Sequence, residues 1–340
     1  MTIVAPLNSR VGRVSFRLFD PGADFSAAAE LISGAHAHDD VDWLPTPELL
    51  THEWGRTPGF DPAADVLIAE SGGLAVGLVA ADWRSRHTKI VHQVEIWVRP
   101  SWRRNRIGGT LLTWAEDHAC ETVAAGTGGS TDLPHEIGGW GDADVPGHAQ
   151  LAAGRGYRVT RYGFEMRRRV DDPITEAALP DGLEVRPVRS GDYRTIWDAD
   201  VEAFRDHFEA SVRTDADYVQ WITSPTLDTS LWQVAWDGDE VAGSVITSIN
   251  AEENEKLGLK IAWLDHISVR RPWRKRGVAS ALIASTLHIL RERGMEVAAL
   301  GVDAENPTGA LRVYEAMGFA RHKTGISYRK SLDTPAHRDR

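Results

Sequence analysis

The chain has 340 residues, 42% of them hydrophobic, and a formal net charge of −11. That length suits two domains of about 150–170 residues, and the acidity excludes a general affinity for nucleic acid, which needs basic surface to neutralise phosphates. A single cysteine, Cys120, excludes an intramolecular disulfide and a thiolate metal cluster.

The first ten residues lack the charged start and apolar core of a signal peptide. With no run of about 18 apolar residues to cross a membrane and one free thiol, a cytoplasmic protein with no membrane partner is expected. Thirteen tryptophans imply large buried or cleft-lining aromatic area. In chain order, His36, His38, Asp39 and Asp40 cluster after a short Ala-rich helix and read as a solvated loop, because nothing completes a metal site; no metal is expected. Gly126–Ser130 is glycine-rich but lacks the Gly-Lys-Ser/Thr ending of a P-loop. Asp171–Gly182, with two prolines and several acids, reads as a linker. The polar tail Asp333–Arg340 reads as frayed.

The second half resolves into more elements. Leu183–Val188 reads as a strand, Tyr193–Arg205 and Asp215–Thr223 as helices, and Trp232–Trp236 with Val241–Asn250 as a hairpin across Asp237–Glu240. Glu252–Glu255 reads as an acidic loop turn before strand Ile261–Val269. Ala279–Arg293 has apolar residues at helical spacing and ends at Gly294. Strand Val297–Val302, helix Thr308–Met317 and a closing strand Ile326–Lys330 follow, giving a mixed α/β sheet with helices on both faces.

Four segment pairs recur in the same order: Phe16–Asp24 with Val185–Asp192, Ala69–Val79 with Ala235–Val245, Val98–Leu111 with Val269–Leu282, and Gly156-Tyr157 with Gly318-Phe319. Four matches in register mark an internal duplication whose unit is a whole domain. The expected plan is a first domain over 14–170, a linker over 171–182 and a second domain over 183–332. Each Arg-rich member of the third pair lies between a strand-like run and a helix-like run. Small residues there let backbone N–H groups approach a ligand closely, and N–H groups at a helix mouth form an anion nest. A solvated basic turn is the alternative.

The surroundings of the second copy resemble the GNAT superfamily of acetyl-CoA-dependent N-acetyltransferases. The family fingerprint, Gln/Arg-x-x-Gly-x-Gly/Ala between a strand and a helix, reads Arg274-x-x-Gly277-x-Ala279; a second signature reads Asn306, Tyr314 and Gly318-Phe319. The resemblance covers residues 183–330 well and 14–170 more loosely. It implies two tandem GNAT-like domains, each a mixed, mostly antiparallel twisted sheet flanked by helices. It also implies acetyl-CoA as co-substrate and a small-molecule amine as partner, and leaves oligomeric state open.

Residue by residue, the resemblance assigns the thioester and pantetheine arm to the backbone of Ile267, Ser268 and Val269. It assigns the pyrophosphate to the N–H groups of Arg274, Lys275, Arg276, Gly277, Val278, Ala279 and Ser280, and an arm contact to Asn306. Arg274, Lys275 and Arg276 add positive charge. Tyr314 becomes the acid that protonates the departing thiolate, a role that suits a phenol; a core aromatic is the alternative. Asn306 and Tyr314 are eight apart where seven is expected, so Pro307–Gly309 is expected to bulge the helix entrance. The amine needs a base. Asp265 and His266 precede the acetyl site, alternation points them to opposite faces, and Asp265 is the choice, with His266 or a water chain as alternatives. The two-domain plan is similar to that of mycothiol synthases, but Trp263 stands where a Glu is expected in them, which disfavours that acceptor.

Aligned on Trp102 and Trp273, the first half has Arg106 for Gly277 and Asn105 for Arg276; aligned on the Gly-aromatic pair, it has Ala152 for Tyr314 and Asp144 for Asn306. It therefore reads as a degenerate, non-catalytic domain. Phe204, His207, Phe208, Tyr218 and Trp221 fall on helices that line the acceptor side in this family, or simply pack the core. The expected activity is acetyl transfer to a primary amine of a small molecule by direct attack. A non-catalytic acyl-CoA sensor or scaffold and a protein or peptide amine acetyltransferase are the alternatives.

Overall fold

A computed structural model describes residues 7–9, 12–130, 132–306 and 308–332; Met1–Pro6, the tail Asp333–Arg340 and Pro307 of the expected helix-entrance bulge lie outside them. The chain forms two compact units, one running to Thr160 and taking in the residues from Ile326 onward, the other spanning Arg161–Gly325.

The first unit comprises β1 (Leu7–Ser9), β2 (Gly12–Leu18), α1 (Phe25–His38), α2 (Pro47–Arg56), α3 (Pro62–Asp65), β3 (Val66–Ser71), β4 (Leu74–Ser85), β5 (Ile90–Val98), α4 (Ile107–Ala124), β6 (His135–Asp142) and α5 (Pro146–Ala153). It also takes β7 (Arg158–Arg169) up to Thr160 and β13 (Ala320–Ser331) from Ile326. Its strand order is β1-β2-β3-β4-β5-β6-β13-β7. The pairs from β1 to β5 are antiparallel and β5–β6 is parallel. One core packs α4 (Leu111, Trp114, Ala115) on the sheet, and a second packs α1 and α2 (Leu31, Ile32, Leu50, Trp54).

The second unit holds the rest of β7, β8 (Glu184–Val185), α6 (Tyr193–Phe204), α7 (Asp215–Ile222), β9 (Gln233–Asp237), β10 (Glu240–Ser248), α8 (Ala251–Leu257), β11 (Ile261–Val269), α9 (Val278–Glu292), β12 (Val297–Asp303) and α10 (Ala310–Ala316), with β13 as far as Gly325. Its strand order is β7-β12-β11-β10-β9-β8, antiparallel except for β11–β12. Leu282, Ile283, Leu287 and Leu290 form the buried stripe of α9, at the spacing that puts side chains on one helix face.

Several expectations differ from what is observed. Glu252–Glu255 lies in helix α8, not in a loop: Asn250 accepts the Glu253 N–H at 3.1 Å, and Gly258 at φ +62° ends the helix. His36 and His38 belong to the last turn of α1; His36 donates from Nδ1 to Trp43 O at 2.7 Å and accepts from Trp97 Nε1 at 2.9 Å. Among the described residues no group of His, Cys, Asp and Glu could hold a metal ion, and no helix is long and apolar enough to cross a membrane. The strand Leu183–Val188 shrinks to Glu184–Val185. Ile326–Lys330, read as closing the second half, falls in the first unit: the Leu332 N–H donates to His135 O at 3.0 Å, and a Cβ on Gly138 would sit 1.8 Å from Tyr328 O. Only glycine allows that approach. Asp171–Gly182 carries no helix or strand, and the two units divide elsewhere, at Thr160 and Gly325.

A histidine pair is buried in the first unit. His135 donates from Nε2 to Ser130 O at 3.1 Å, so its Nδ1 accepts from His92 Nε2 at 3.0 Å, and His92 is 3% exposed. Burial, then the neighbouring His135, push His92 down from 6.5 to about 4. The unfolded chain therefore takes up this proton at higher pH than the native state does. The stability is complete above pH 6.5 and is lost as the pH falls toward 4. Going from pH 7.5 to 5 removes about 2 kcal/mol through this group. Urea unfolding of the parent and of His92→Gln at both pH values checks this: the parent should lose that much more than the variant.

Candidate active site in the second unit

The site is built where β11 ends and α9 begins. The chain passes from Val269 through a single 3-10 turn (Arg271–Trp273), then Lys275 at φ +60° and Gly277 at φ +88°, into α9. Glycine takes this left-handed conformation without strain. A Cβ on Gly277 would meet no heavy atom within 4 Å, so a side chain there would enter open space. Gly277 O accepts from Ala281 N at 3.0 Å, closing the first helical turn; the N–H groups of Val278, Ala279 and Ser280 are the ones a helix start leaves without an intrahelical partner.

The turn is clamped by its own arginine. Arg274 donates to Val269 O at 2.9 Å, to Ala203 O at 3.0 Å and to Asp206 Oδ2 at 2.7 Å. Arg271 pairs with the other oxygen of Asp206, and the two guanidiniums hold that carboxyl far below its ordinary range. Trp273 Nε1 donates to Asp237 at 2.9 Å, and Arg270 donates to Glu202 at 2.8 Å. Arg274, counted from the sequence among the charges facing a ligand, therefore serves as a structural clamp. Lys275 and Arg276 are exposed and form no ion pair among the described residues.

Strand β11 carries an irregularity that alternation does not foresee. Its register with β10 shifts between Ile246 and Thr247: Ile246 faces His266 and Thr247 faces Leu264, leaving Asp265 as the extra residue. A bulge re-aims side chains, so the strict opposite-face assignment of Asp265 and His266 does not carry through it. The pairing of β11 with β12 covers only Ile261–Trp263, so Leu264–Val269 have no ladder on that edge. Gly301 on β12 has no heavy atom within 4 Å of where its Cβ would stand. Ser268 is 6% exposed and shares a hydrogen bond with Ser244 at 3.1 Å; Ile267 and Val269 are half-buried.

Titratable groups gather at this bulge. Asp265 is reached by solvent, yet crowding by the protein pushes its carboxyl up to about 6, against a hydrogen bond from Ser248 that lowers it. His266 Nδ1 meets Asp200 Oδ2 of α6 at 2.8 Å. Burial alone would lower the imidazole, but the charge and hydrogen bond of Asp200, with Asp265 behind them, raise it above its ordinary value. Phe204 packs between His266 and His207, its ring 5.3 and 4.3 Å from theirs. Tyr218 and Trp221 pack with Trp197 instead.

On α10, Tyr314 is 7% exposed, lies edge-on to Phe319 at 6.4 Å, and is pushed by burial up to about 12. Asn306 Oδ1 accepts from Thr308 N at 2.9 Å and from Thr308 Oγ1 at 2.6 Å, so only its amide nitrogen is left for a ligand. The helix starts at Ala310, after Gly309 at φ +79°, not at Thr308. Sequence reading missed Asp200 and Asp206. Each is one acid among many on a helix or loop, and only the fold pairs it with a group far along the chain.

The first unit repeats the turn. Arg104 and Arg106 take φ +64° and +67°, and Arg103 donates to Val98 O at 3.1 Å and to both oxygens of Asp39 at 2.6 and 2.7 Å. β4 and β5 pair without a register shift, and a Cβ on Gly139 would lie 2.3 Å from Val94 O. The turn borders a cavity of about 1000 Å³ that sequence comparison did not foresee, lined among others by Glu95, Trp97, Arg106 and Tyr157. Ala152 is buried on α5, and Asp144 lies in the turn before it.

Comparison with known proteins agrees with this geometry. The profile of the acetyltransferase (GNAT) family matches residues 29–128 and 193–319. Proteins named mycothiol acetyltransferase are similar over nearly the whole chain. The one from Geodermatophilus obscurus is 30% identical over 96% of this chain and 99% of its own length, and the one from Salinispora arenicola 29% identical over 97% and 100%. Among solved structures, a GCN5-related N-acetyltransferase from Sphaerobacter thermophilus superposes with a TM-score of 0.69 at 24% identity, covering 94% of this chain and 96% of that one. A tandem GNAT protein from the clavulanic acid biosynthesis pathway gives 0.67 at 16% identity, covering 94% and 99%. With a family match in each half and the strand–turn–helix geometry repeated in each unit, the chain belongs to the GNAT acetyltransferase family, as a tandem member.

Proposed function

We propose that the second unit transfers the acetyl group of acetyl-CoA to a primary amine of a small molecule by direct attack. The observation that carries this reading is the open left-handed turn at Gly277, a helix start where a side chain in place of the glycine hydrogen would meet no atom beyond the adjoining backbone within 4 Å. The backbone from Arg274 to Ser280 would hold the pyrophosphate there, with Lys275 and Arg276 supplying charge. The unpaired edge of β11 at Ile267, Ser268 and Val269 would orient the thioester, with the Asn306 amide nitrogen on the CoA arm.

An amine enters as ammonium and must lose a proton before attack. Asp265 and His266 are the acceptors at hand. The free amine then attacks the acetyl carbon, the C–N bond forms, and collapse of the adduct breaks the C–S bond. Tyr314 gives its proton to the thiolate and is recharged from solvent, while the amine's second proton leaves to solvent. Burial holds the Tyr314 phenol protonated throughout the neutral range, so the acid is always loaded. Holding amine and thioester in line supplies most of the rate, up to about 7–11 kcal/mol.

The acceptor is read as a small molecule because the near-full-length relatives are named for one. Trp263 stands on β11 where the likeness to mycothiol synthases expects a Glu, so proton removal would fall to the bulge two and three residues later. Thiol release from acetyl-CoA tests the reading over amino sugars, polyamines, amino acids, peptide N-termini and the amine used by the mycothiol acetyltransferases. Turnover on a small amine is expected; tight CoA binding with no turnover would identify an acyl-CoA sensor, and turnover on peptides alone a protein acetyltransferase.

Tyr314→Phe should lower kcat about 100-fold and leave KM for acetyl-CoA unchanged. Gly277→Arg copies the first unit's Arg106. It should abolish turnover and CoA binding at the second unit, while its left-handed backbone costs only about 1–2 kcal/mol of stability. Calorimetric titration with CoA beside a thermal melt separates loss of the site from loss of the fold.

A further inference from the structure

The pairing of His266 with a buried carboxylate from a different element is used by nothing derived so far. Asp200 is 6% exposed, and its Oδ2 meets His266 Nδ1 at 2.8 Å. Its Oδ1 is buried with no hydrogen-bond partner among the described residues. A carboxylate placed only for stability would have both oxygens satisfied, since an unsatisfied buried acceptor costs about 1–3 kcal/mol. Here one oxygen is committed to the imidazole and the other is left bare.

The bond fixes the ring. Asp200 accepts, so neutral His266 carries its proton on Nδ1, and Nε2 keeps its lone pair. Nε2 has no partner among the described residues, although the side chain is 29% exposed. Phe204 packs against the ring, and the bulge that places His266 lies within Leu264–Val269, the stretch of β11 unpaired on its β12 side.

We propose that Asp200 is a positioning residue that holds His266 as the Nδ1–H tautomer, and that His266 Nε2 is the base that takes the proton from the acceptor ammonium. This rests on the reading of the second unit as an N-acetyltransferase. The ammonium gives one N–H proton to Nε2, and the freed lone pair forms the C–N bond. The C–S electron pair leaves with sulfur, which takes the Tyr314 proton; the nitrogen's second proton leaves to solvent, which recharges the Tyr314 phenolate, and the imidazolium returns its proton to water after release. Asp265, solvent-reached beside the ring, contributes negative charge that favours an approaching ammonium. The charged and titratable groups around His266 are Asp200 from α6, Asp265 from β11 and Arg213 ahead of α7, with His207 across the Phe204 ring.

The dyad is tested first without any acceptor, by NMR of the histidine-labelled full chain, with His266→Gln to assign its signal among 13 histidines. His266 should be protonated on Nδ1 when neutral and titrate above an ordinary imidazole, and Asp200→Asn should lower that titration. Kinetics with acetyl-CoA and the best amine of the panel then test the role. His266→Gln should lose about 100-fold in kcat or more. Asp200→Asn should move the acid limb of kcat/KM to lower pH by the interval seen in the NMR titration, with KM for acetyl-CoA unchanged, and Asp265→Asn should move it far less. An Nε2–H tautomer in the parent protein overturns the dyad. A limb that follows Asp265→Asn and ignores Asp200→Asn, or full turnover by His266→Gln, overturns the base. If no amine in the panel turns over, the base falls with the transferase reading, and the tautomer separates that failure from a failure of the dyad.

Discussion

The site depends on how the chain turns from β11 into α9. Two residues, Lys275 and Gly277, must take positive φ within four positions, and the free N–H groups of the helix are presented only if that turn is rigid. Rigidity comes from Arg274, whose fork reaches two backbone carbonyls and Asp206 at once. A planar guanidinium makes such simultaneous contacts with little loss of freedom per bond, which a lysine could not do. The same residue at the same place in the first unit, Arg103, reaches Val98 O and Asp39. The arginine of the fingerprint therefore shapes the turn, and, among the described residues, the unpaired positive charge beside it is left to Lys275 and Arg276.

Charge around the turn is locally compensated although the chain carries −11. Glu202, Asp206 and Glu240 neutralise Arg270, Arg271 and Arg274. This leaves the charges of Lys275 and Arg276 beside the helix start, and acids at Asp265, four residues before the end of β11, and at Asp200 on α6. Such a separation suits a cosubstrate bearing phosphates and a cosubstrate bearing an ammonium. The bulge inserts Asp265 in the unpaired stretch of β11, and α6 brings Asp200 to His266 beside it.

The duplication makes each unit a comparison for the other. Both keep the left-handed turn and the arginine clamp, so the backbone shape survives replacement of Gly277 by an arginine. The units differ in the bulge, in the spacing around Gly139 and Gly301, and in the residue opposite Tyr314. Those differences lie in the strand edge and in the helix that carries Tyr314, not in the shape of the turn. The first unit nevertheless has a cavity of about 1000 Å³ at its turn, so the loss of glycine did not fill the space.

Periodicity and turn residues were enough for strand Ile261–Val269 and for helices α6, α7 and α9 to within one residue at each end, because these features are local in the chain; the duplication rested on four recurring segment pairs and the family on the resemblance of two motifs. The resemblance singled out Arg274 with Gly277 and Asn306 with Tyr314 because each signature is a short run of neighbouring residues. Helix α8 was hidden because its acidic run mimics a solvated turn, and its buried anchors, Glu253 and Asn254, are polar. Tertiary structure alone decided the rest. The bulge exists only as a register between two strands, and the Asp200–His266 and Arg274–Asp206 pairs join residues 66 and 68 positions apart. Whether a charge is free or engaged depends on what folding brings beside it, which no local pattern carries.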